Sequence, residues 1–354
     1  MDDEVSQERL FELVRRATGQ EPDGRPVTRL AGHASLRTYW RVGEPGAGSV
    51  VVMVLPQAAQ PEEIGKGGTS GPAPFVDVQA YLQRIGVRVP EVYGWSQEEG
   101  WVVLEDLGDE MMVDRLDAGS PAEPLYAAAT TQLARMRVAA ERGPDPACVA
   151  FSRAFDGDLY RWELGHFVEW GLEARGVELT GAERGVVGRQ FEAIVGRLTS
   201  EPRGFTHRDF QSRNLMVLRD GSLAVIDFQD ALLGPREYDL VSLLRDSYVQ
   251  LDQGFIDRMI RRYIAEVAAL GGPAPAFDRC REVFDLLTVQ RKLKDAGRFI
   301  YIDRVKGNPS FLPFVPRALA RVREAFERQP DLADLREVLV RHVPELGEAG
   351  AACG

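Results

Sequence analysis

The spacing of apolar residues changes along this chain, and the change divides it. Residues 4–18 place apolar positions at helical intervals in an acidic background, which predicts an amphipathic helix. From Gly24 to Val54 the pattern is that of strands. PVTRL, the alternating LRTYWRV and SVVVMVL are separated by Gly32-His33-Ala34-Ser35 and by a Gly/Pro-rich turn, and together they predict a β-meander. Residues 56–74, including GKGGTSGP, hold too many turn formers for a helix and predict a mobile loop. A helix over 75–86 stopped by Gly86 is expected next, followed by a buried strand in WVVLEDLGDE. Beyond it the period is helical. Leu125, Ala129, Leu133 and Met136 mark a helix over 122–140, and 158–176, 181–199, 252–270 and 279–298 read the same way. A strand-rich first part thus precedes a helix-rich remainder, with the boundary near residue 105.

One stretch interrupts the helical part. From Gly204 to Asp230 the chain reads GFTHRDFQSRNLMVLRDGSLAVIDFQD, in which two apolar runs flank Arg219-Asp220-Gly221 and predict a β-hairpin. A polar loop precedes it, with His207-Arg208-Asp209 and then Asn214 five residues after the aspartate; Asp227 ends the second strand. An Asp after a strand is often only a cap, and HxD alone is common. The three residues at this spacing around a hairpin say more. Phosphoryl transfer needs a group that orients the attacking hydroxyl, hard oxygen ligands for Mg²⁺, and neutralisation of developing charge. A loop-hairpin-loop brings Asp209, Asn214 and Asp227 to one phosphate. The glycine-rich 56–74 segment does not match GxxxxGK[ST] and does not lie between a strand and a helix, so no P-loop is expected there.

Composition narrows the class. The 354 residues are 44% hydrophobic and 27% charged, ordinary for a globular protein with a full core. No apolar run reaches the roughly 18–20 residues of a membrane span, and the start lacks a basic segment followed by an apolar one. A cytoplasmic protein without a membrane partner is expected. Cys148, Cys280 and Cys353 are far apart and form no CxxC pair, consistent with reduced structural thiols. The net charge of −11, with no basic stripe interleaved with aromatics, argues against nucleic acid as a partner.

HRDFQSRNLM followed by VIDFQDALLGPREYDLVSLLRD resembles the aminoglycoside-phosphotransferase/choline-kinase superfamily. ASLRTYWRV, PFVDV, LEDLG, IDFQDALLGP, YDLVSLLRD and VQRKLKDAGRF are similar to one branch in particular, the anomeric kinases of cell-wall amino sugars. The resemblance implies an α+β, bilobal protein-kinase-like fold, with a small β-rich N-lobe (1–104) and a larger helical C-lobe (105–354). It implies an ATP- and Mg²⁺-dependent kinase, monomeric, that phosphorylates N-acetylmuramate or N-acetylglucosamine at C1 in cell-wall recycling. Asp209 would be the base, and Asn214 and Asp227 the Mg²⁺ ligands. Gly32, His33, Ala34 and Ser35 would cover the phosphates, and Glu105, Asp106 and Leu107 would be the hinge against adenine. His207 and Asp239 would brace the catalytic loop. Arg213, Gln229, Asp230 and Arg291 are the substrate-side candidates.

Two features depart from the superfamily pattern. The third N-lobe strand usually carries a lysine for the ATP phosphates, whereas Met53 and Val54 stand here; the amino-sugar branch also lacks it. Arg37 and Arg41 share one face of the preceding strand, and either could supply the missing charge. His33 stands where the branch more often has an acid. The basic stretch 290–306 faces either substrate or, as a solvated helix face, water. Two alternatives remain at this level: an aminoglycoside or other small-alcohol kinase, and an ATP-binding pseudokinase.

Overall fold

The computed structural model describes residues 5–30, 37–46, 48–55 and 72–347. The chain falls into two compact units: residues up to Arg153 together with His207–Leu232, and Ala154–Thr206 together with the chain from Leu233 onward. The first unit therefore runs past residue 105, because it includes the elements after the sheet and the hairpin.

In the first unit, α1 (Gln7–Thr18) precedes the strands β1 (Val27–Leu30), β2 (Thr38–Val42) and β3 (Val50–Val54). Then come α2 (Pro72–Arg84), β4 (Val92–Ser96), β5 (Trp101–Glu105), α3 (Met112–Asp117) and α4 (Ala122–Arg142). The sheet is antiparallel, in the order β1-β2-β3-β5-β4. Its alternation sorts the side chains. Val42, Val50, Val52, Trp101 and Val103 close one face over Leu10, Leu13 and Val14 of α1. The Ser6 hydroxyl caps α1 by accepting from the Arg9 N–H at 3.2 Å, and Gly19, at φ 67°, ends it. β4 meets the same helix at Gly94, where a Cβ would lie 2.7 Å from that of Ala17.

The hairpin β7 (Leu215–Val217) and β8 (Leu223–Val225) is antiparallel, and Gly221 supplies the positive φ of its turn. Two ties fix it within the unit. Val217 N–H donates to the Glu110 carbonyl at 2.8 Å, and Val225 N–H donates to the Arg88 carbonyl at 2.8 Å. The ends of the hairpin are thereby set against the chain on either side of β4 and β5.

The second unit is mainly helical: α5 (Gly157–His166), α6 (Gly181–Ser200), α7 (Tyr238–Leu244), α8 (Gln253–Ala269), α9 (Phe277–Lys306), α10 (Val315–Phe326) and α11 (Ala333–His342). The short strands β6 (Arg203–Thr206) and β9 (Leu232–Pro235) pair. No helix among the described residues is long and apolar enough to cross a membrane.

Several expectations change in detail. The helix expected over 158–176 keeps α-winding only to His166; a π-turn (Phe167–Leu172) and a 3₁₀ turn (Glu173–Arg175) follow before Gly176. α2 already begins at Pro72, so the end of the expected 56–74 loop is helical; its remainder lies outside the described residues. The helix expected to end at 298 runs on to Lys306 and stops at Gly307, φ 65°. Nor is the 290–306 stretch a solvated face throughout. Arg291 and Lys292 are buried, and only its last turn is exposed.

Candidate active site

Both ends of the catalytic segment meet in the first unit, and His207 fastens them. Its ring is fully buried. Nε2 lies 3.0 Å from the Ile226 carbonyl, while Nδ1 accepts from the Asp209 N–H at 3.3 Å. That pair of partners calls for a neutral ring protonated on Nε2. The residue before Asp209 and the residue after Ile226 both adopt left-handed backbone: Arg208 at φ 76° and Asp227 at φ 64°. Aspartate tolerates this region better than most residues; arginine does so only where the surroundings enforce it.

Asn214 Nδ2 donates to the Asp209 carbonyl at 2.8 Å and lies 3.5 Å from Asp227 Oδ2. Its own carbonyl accepts from the Ile226 N–H at 3.0 Å. Spending Nδ2 on the loop leaves Oδ1 as the free acceptor of the amide, beside the Asp227 carboxylate. Gln229 Nε2 bridges Asp227 Oδ1 (2.9 Å) and Asp230 Oδ2 (3.2 Å). Although 44% of the Asp227 side-chain surface is accessible, the protein packed around it desolvates the carboxylate. With Asp209 and Asp230 adding like charge, its pKa rises against the pull of Arg37 and Gln229. The Asp227 carboxylate and the Asn214 amide oxygen beside it, with the like charges of Asp209 and Asp230 near, form a hard-oxygen pair short of positive charge, which fits Mg²⁺.

Arg37 and Arg41 have different neighbours. Arg41 is bound bidentately to Asp106, Nε to Oδ2 at 2.7 Å and Nη2 to Oδ1 at 2.8 Å, and Nη1 reaches Asp109 at 2.9 Å. Desolvation pushes the Asp106 carboxyl upward. Bonds from Arg41, the Ser49 hydroxyl and the Gly108 N–H outweigh it and hold the pKa below the ordinary range. Arg37 instead has Nη1 3.6 Å from Asp227 Oδ1.

Other candidates are placed as follows. Glu105 is committed at its N–H, which donates to the Glu91 carbonyl at 2.9 Å, and at its carboxylate, which accepts from Arg88 Nη1 at 2.7 Å. Arg213 is half-buried on the 3₁₀ turn Ser212–Asn214. Gly32, His33, Ala34 and Ser35 lie outside the described residues. Asp239 and Arg291 belong to the second unit. Asp239 is buried in the first turn of α7, and Arg291 is buried with Nη1 donating to the Tyr238 hydroxyl at 2.8 Å. Two residues were not anticipated. Arg153 Nη2 donates to the carbonyls of Gln229 (3.2 Å) and Ala231 (2.7 Å) and so holds the chain just after Asp227. The Phe75 ring packs on Phe228, with centroids 4.7 Å apart.

A carboxylate held beside a second carboxylate and an amide, at the two ends of a hairpin next to a five-stranded antiparallel sheet, defines a phosphotransferase of the kinase-like class. The chain belongs to the phosphotransferase enzyme family, whose model matches residues 26–283, and it is a small-molecule kinase. It is 35% identical over 339 residues to an N-acetylmuramate/N-acetylglucosamine kinase of Pseudomonas aeruginosa, covering 95% of this chain and 94% of that one. It is 33% identical over 322 residues to an enzyme of the same name from Neisseria meningitidis, covering 90% of each. Among solved structures it is similar to choline kinase LicA from Streptococcus pneumoniae: TM-score 0.60, 12% identity, covering 90% of this chain and 99% of that one. An ADP-bound aminoglycoside phosphotransferase gives TM-score 0.58 at 16% identity, with 92% and 99% covered. These structural likenesses show the kinase-like fold.

Proposed function

We propose that this protein transfers the γ-phosphate of ATP to the anomeric hydroxyl of N-acetylmuramate or N-acetylglucosamine, giving ADP and the sugar 1-phosphate. The observation that carries this reading is the extent of the likeness to curated amino-sugar kinases, which covers at least 90% of each chain. A shared catalytic motif alone would leave the acceptor open. Asp209 aligns the C1 hydroxyl and takes its proton as the new O–P bond forms and the bond between the γ-phosphorus and ADP breaks. That hydroxyl is the most acidic on a reducing sugar, and the transition state is loose, so alignment and charge neutralisation contribute more than base strength. Asn214 Oδ1 and Asp227 would hold Mg²⁺, which when bound neutralises charge on the phosphates. The main chain at the Glu105–Leu107 hinge faces adenine, and since the Glu105 N–H is already engaged, Asp106 and Leu107 carry that contact. Gly32 to Ser35 cover the phosphates. Residues 1–104 serve the nucleotide and 105–354 carry the catalytic and sugar-binding parts. The enzyme works as a cytoplasmic monomer with no nucleic-acid or membrane partner.

The test is ATP consumption with free amino sugars, their 1-O-methyl glycosides and aminoglycosides side by side, with phosphorus NMR of the product. The expected result is turnover of the free sugars, a product phosphorus coupled to the anomeric proton, and no transfer to the methyl glycosides. Equal phosphorylation of a methyl glycoside would overturn the anomeric reading, and preferential turnover of an aminoglycoside would replace the acceptor.

A further inference from the structure

The fold ordinarily places a lysine on β3 to hold the ATP phosphates. Here Met53 occupies that strand, fully buried. The register explains what the site offers instead. Met53 stands directly opposite Tyr39 on β2, so both side chains lie on the sheet face away from α1, whose cluster takes Val50 and Val52. Arg37 precedes β2 by one residue and reaches the same side, where its guanidinium and the Tyr39 hydroxyl are close enough to interact. Its side chain is only 14% exposed, and Nη1 lies 3.6 Å from Asp227 Oδ1, with the Asp230 charge also nearby. Arg41, the other cation on this face, has its donors on Asp106 and Asp109.

We infer that Arg37, oriented by Tyr39, supplies the positive charge to the nucleotide phosphates in place of a β3 lysine. The charge has moved from β3 to the leading end of β2, and Met53 fills the space left behind. This rests on the phosphotransferase reading of the site but not on the identity of the sugar. The guanidinium lies within ion-pair distance of Asp227. A triphosphate with its cation offers it a stronger, bidentate partner, for which a planar fork is better shaped than an ammonium. Tyr39 limits the conformations open to the long side chain, so less freedom is lost on binding.

The test is equilibrium binding of ATP, ADP and adenosine, with and without Mg²⁺ and without any sugar, so that a wrong acceptor assignment leaves it unaffected. Arg37→Ala should weaken Mg-ATP and Mg-ADP by about tenfold or more, the scale of a charge-assisted hydrogen bond, and leave adenosine binding within about twofold. Tyr39→Phe should show a smaller loss of the same selectivity. Met53→Lys in the parent should not tighten Mg-ATP. Combined with Arg37→Ala it should recover part of the affinity, because an ammonium on β3 returns positive charge to the sheet face that Met53 shares with Tyr39. Unchanged or tighter Mg-ATP binding by Arg37→Ala would reduce Arg37 to a counter-ion of Asp227 and overturn the inference. An equal loss for adenosine would also overturn it, by showing that the residue only supports the lobe. Should Arg37→Ala not fold, Arg37→Gln and Tyr39→Phe decide by the same selectivity between phosphorylated and unphosphorylated ligands.

Discussion

Arg41 and Asp106 form two parallel hydrogen bonds, 2.7 and 2.8 Å, with the Asp106 side chain 2% and that of Arg41 5% exposed. The pair joins β2 to the segment that leaves β5, across 65 positions of sequence. Asp106 thus serves the hinge with its side chain turned inward, whatever its main chain does for adenine. Asp106→Ala would leave the buried Arg41 guanidinium with only the exposed Asp109 carboxylate as a partner and should cost about 1–3 kcal/mol, measured by denaturant unfolding. A loss under about 1 kcal/mol would mean that the pair behaves as a surface ion pair.

Asp209→Asn should lower turnover by about 10²-fold or more, since a positioned general base contributes on that scale. Nucleotide binding should be nearly unchanged, because the Asp209 main chain still meets His207 and Asn214. Steady-state rates together with a nucleotide titration check both halves. A variant that keeps parental turnover would remove Asp209 from the mechanism.

Asp227→Ala removes a hard oxygen next to Asn214 and should weaken Mg²⁺-dependent ATP affinity more than metal-free ATP affinity. The comparison is a pair of calorimetric titrations. Equal Mg-ATP affinity in variant and parent would show that Asp227 is no ligand.

Glu99 gives a pH dependence that can be read away from the site. Its pKa is lowered from 4.5 to about 2, chiefly by hydrogen bonding to Arg16, with Arg9 and the Trp101 indole adding to it. A depressed carboxyl contributes stability that is fully present above the unfolded value and is lost as pH falls through the folded one. The stability of the β-rich part should therefore decline between about pH 4.5 and pH 2, in the range set by those two values. Glu99→Gln should flatten that decline and lower stability at neutral pH. Acid titrations followed by tryptophan fluorescence compare the two slopes.

Gly297 lies where α9 crosses the end of α5. A Cβ there would sit 2.8 Å from the His166 carbonyl and 3.0 Å from the Phe167 Cα, both of them backbone atoms. Gly297→Ala should lower stability by about 1–3 kcal/mol, the range of an overpacked core. Thermal unfolding tests it, and an unchanged midpoint would mean that the two helices can separate at little cost.

Much of this was legible in the sequence, for reasons that differ by element. The β7–β8 hairpin announces itself through two short apolar runs and a turn that needs the positive φ of Gly221. The three polar residues at its ends follow from it. The winding change at Phe167–Leu172 could not be read, because isolated glycines such as Gly165 and Gly171 are tolerated inside a helical pattern and the apolar spacing runs on. The end of α9 was placed short, since Arg298, Arg304 and Lys306 look like solvated charge whether or not the helix continues. Alternation put Arg37 and Arg41 on one face but could not say which of them was spent, because the acid that takes Arg41 is distant in sequence. Arg153 resembled any other arginine until the fold brought the carbonyls of Gln229 and Ala231 to it.

The left-handed backbone at Arg208 has a consequence for engineering. A side chain in that region costs about 1–2 kcal/mol, held in place by the loop and by the His207 pin next to it. Glycine would be at ease in that conformation, but Arg208→Gly gives up the packing of a buried side chain. It also widens the range of angles open to the peptide that presents Asp209. The buried arginine thus keeps the peptide that presents Asp209 within a narrow range of angles, and the strain of its own backbone is what that narrowness costs.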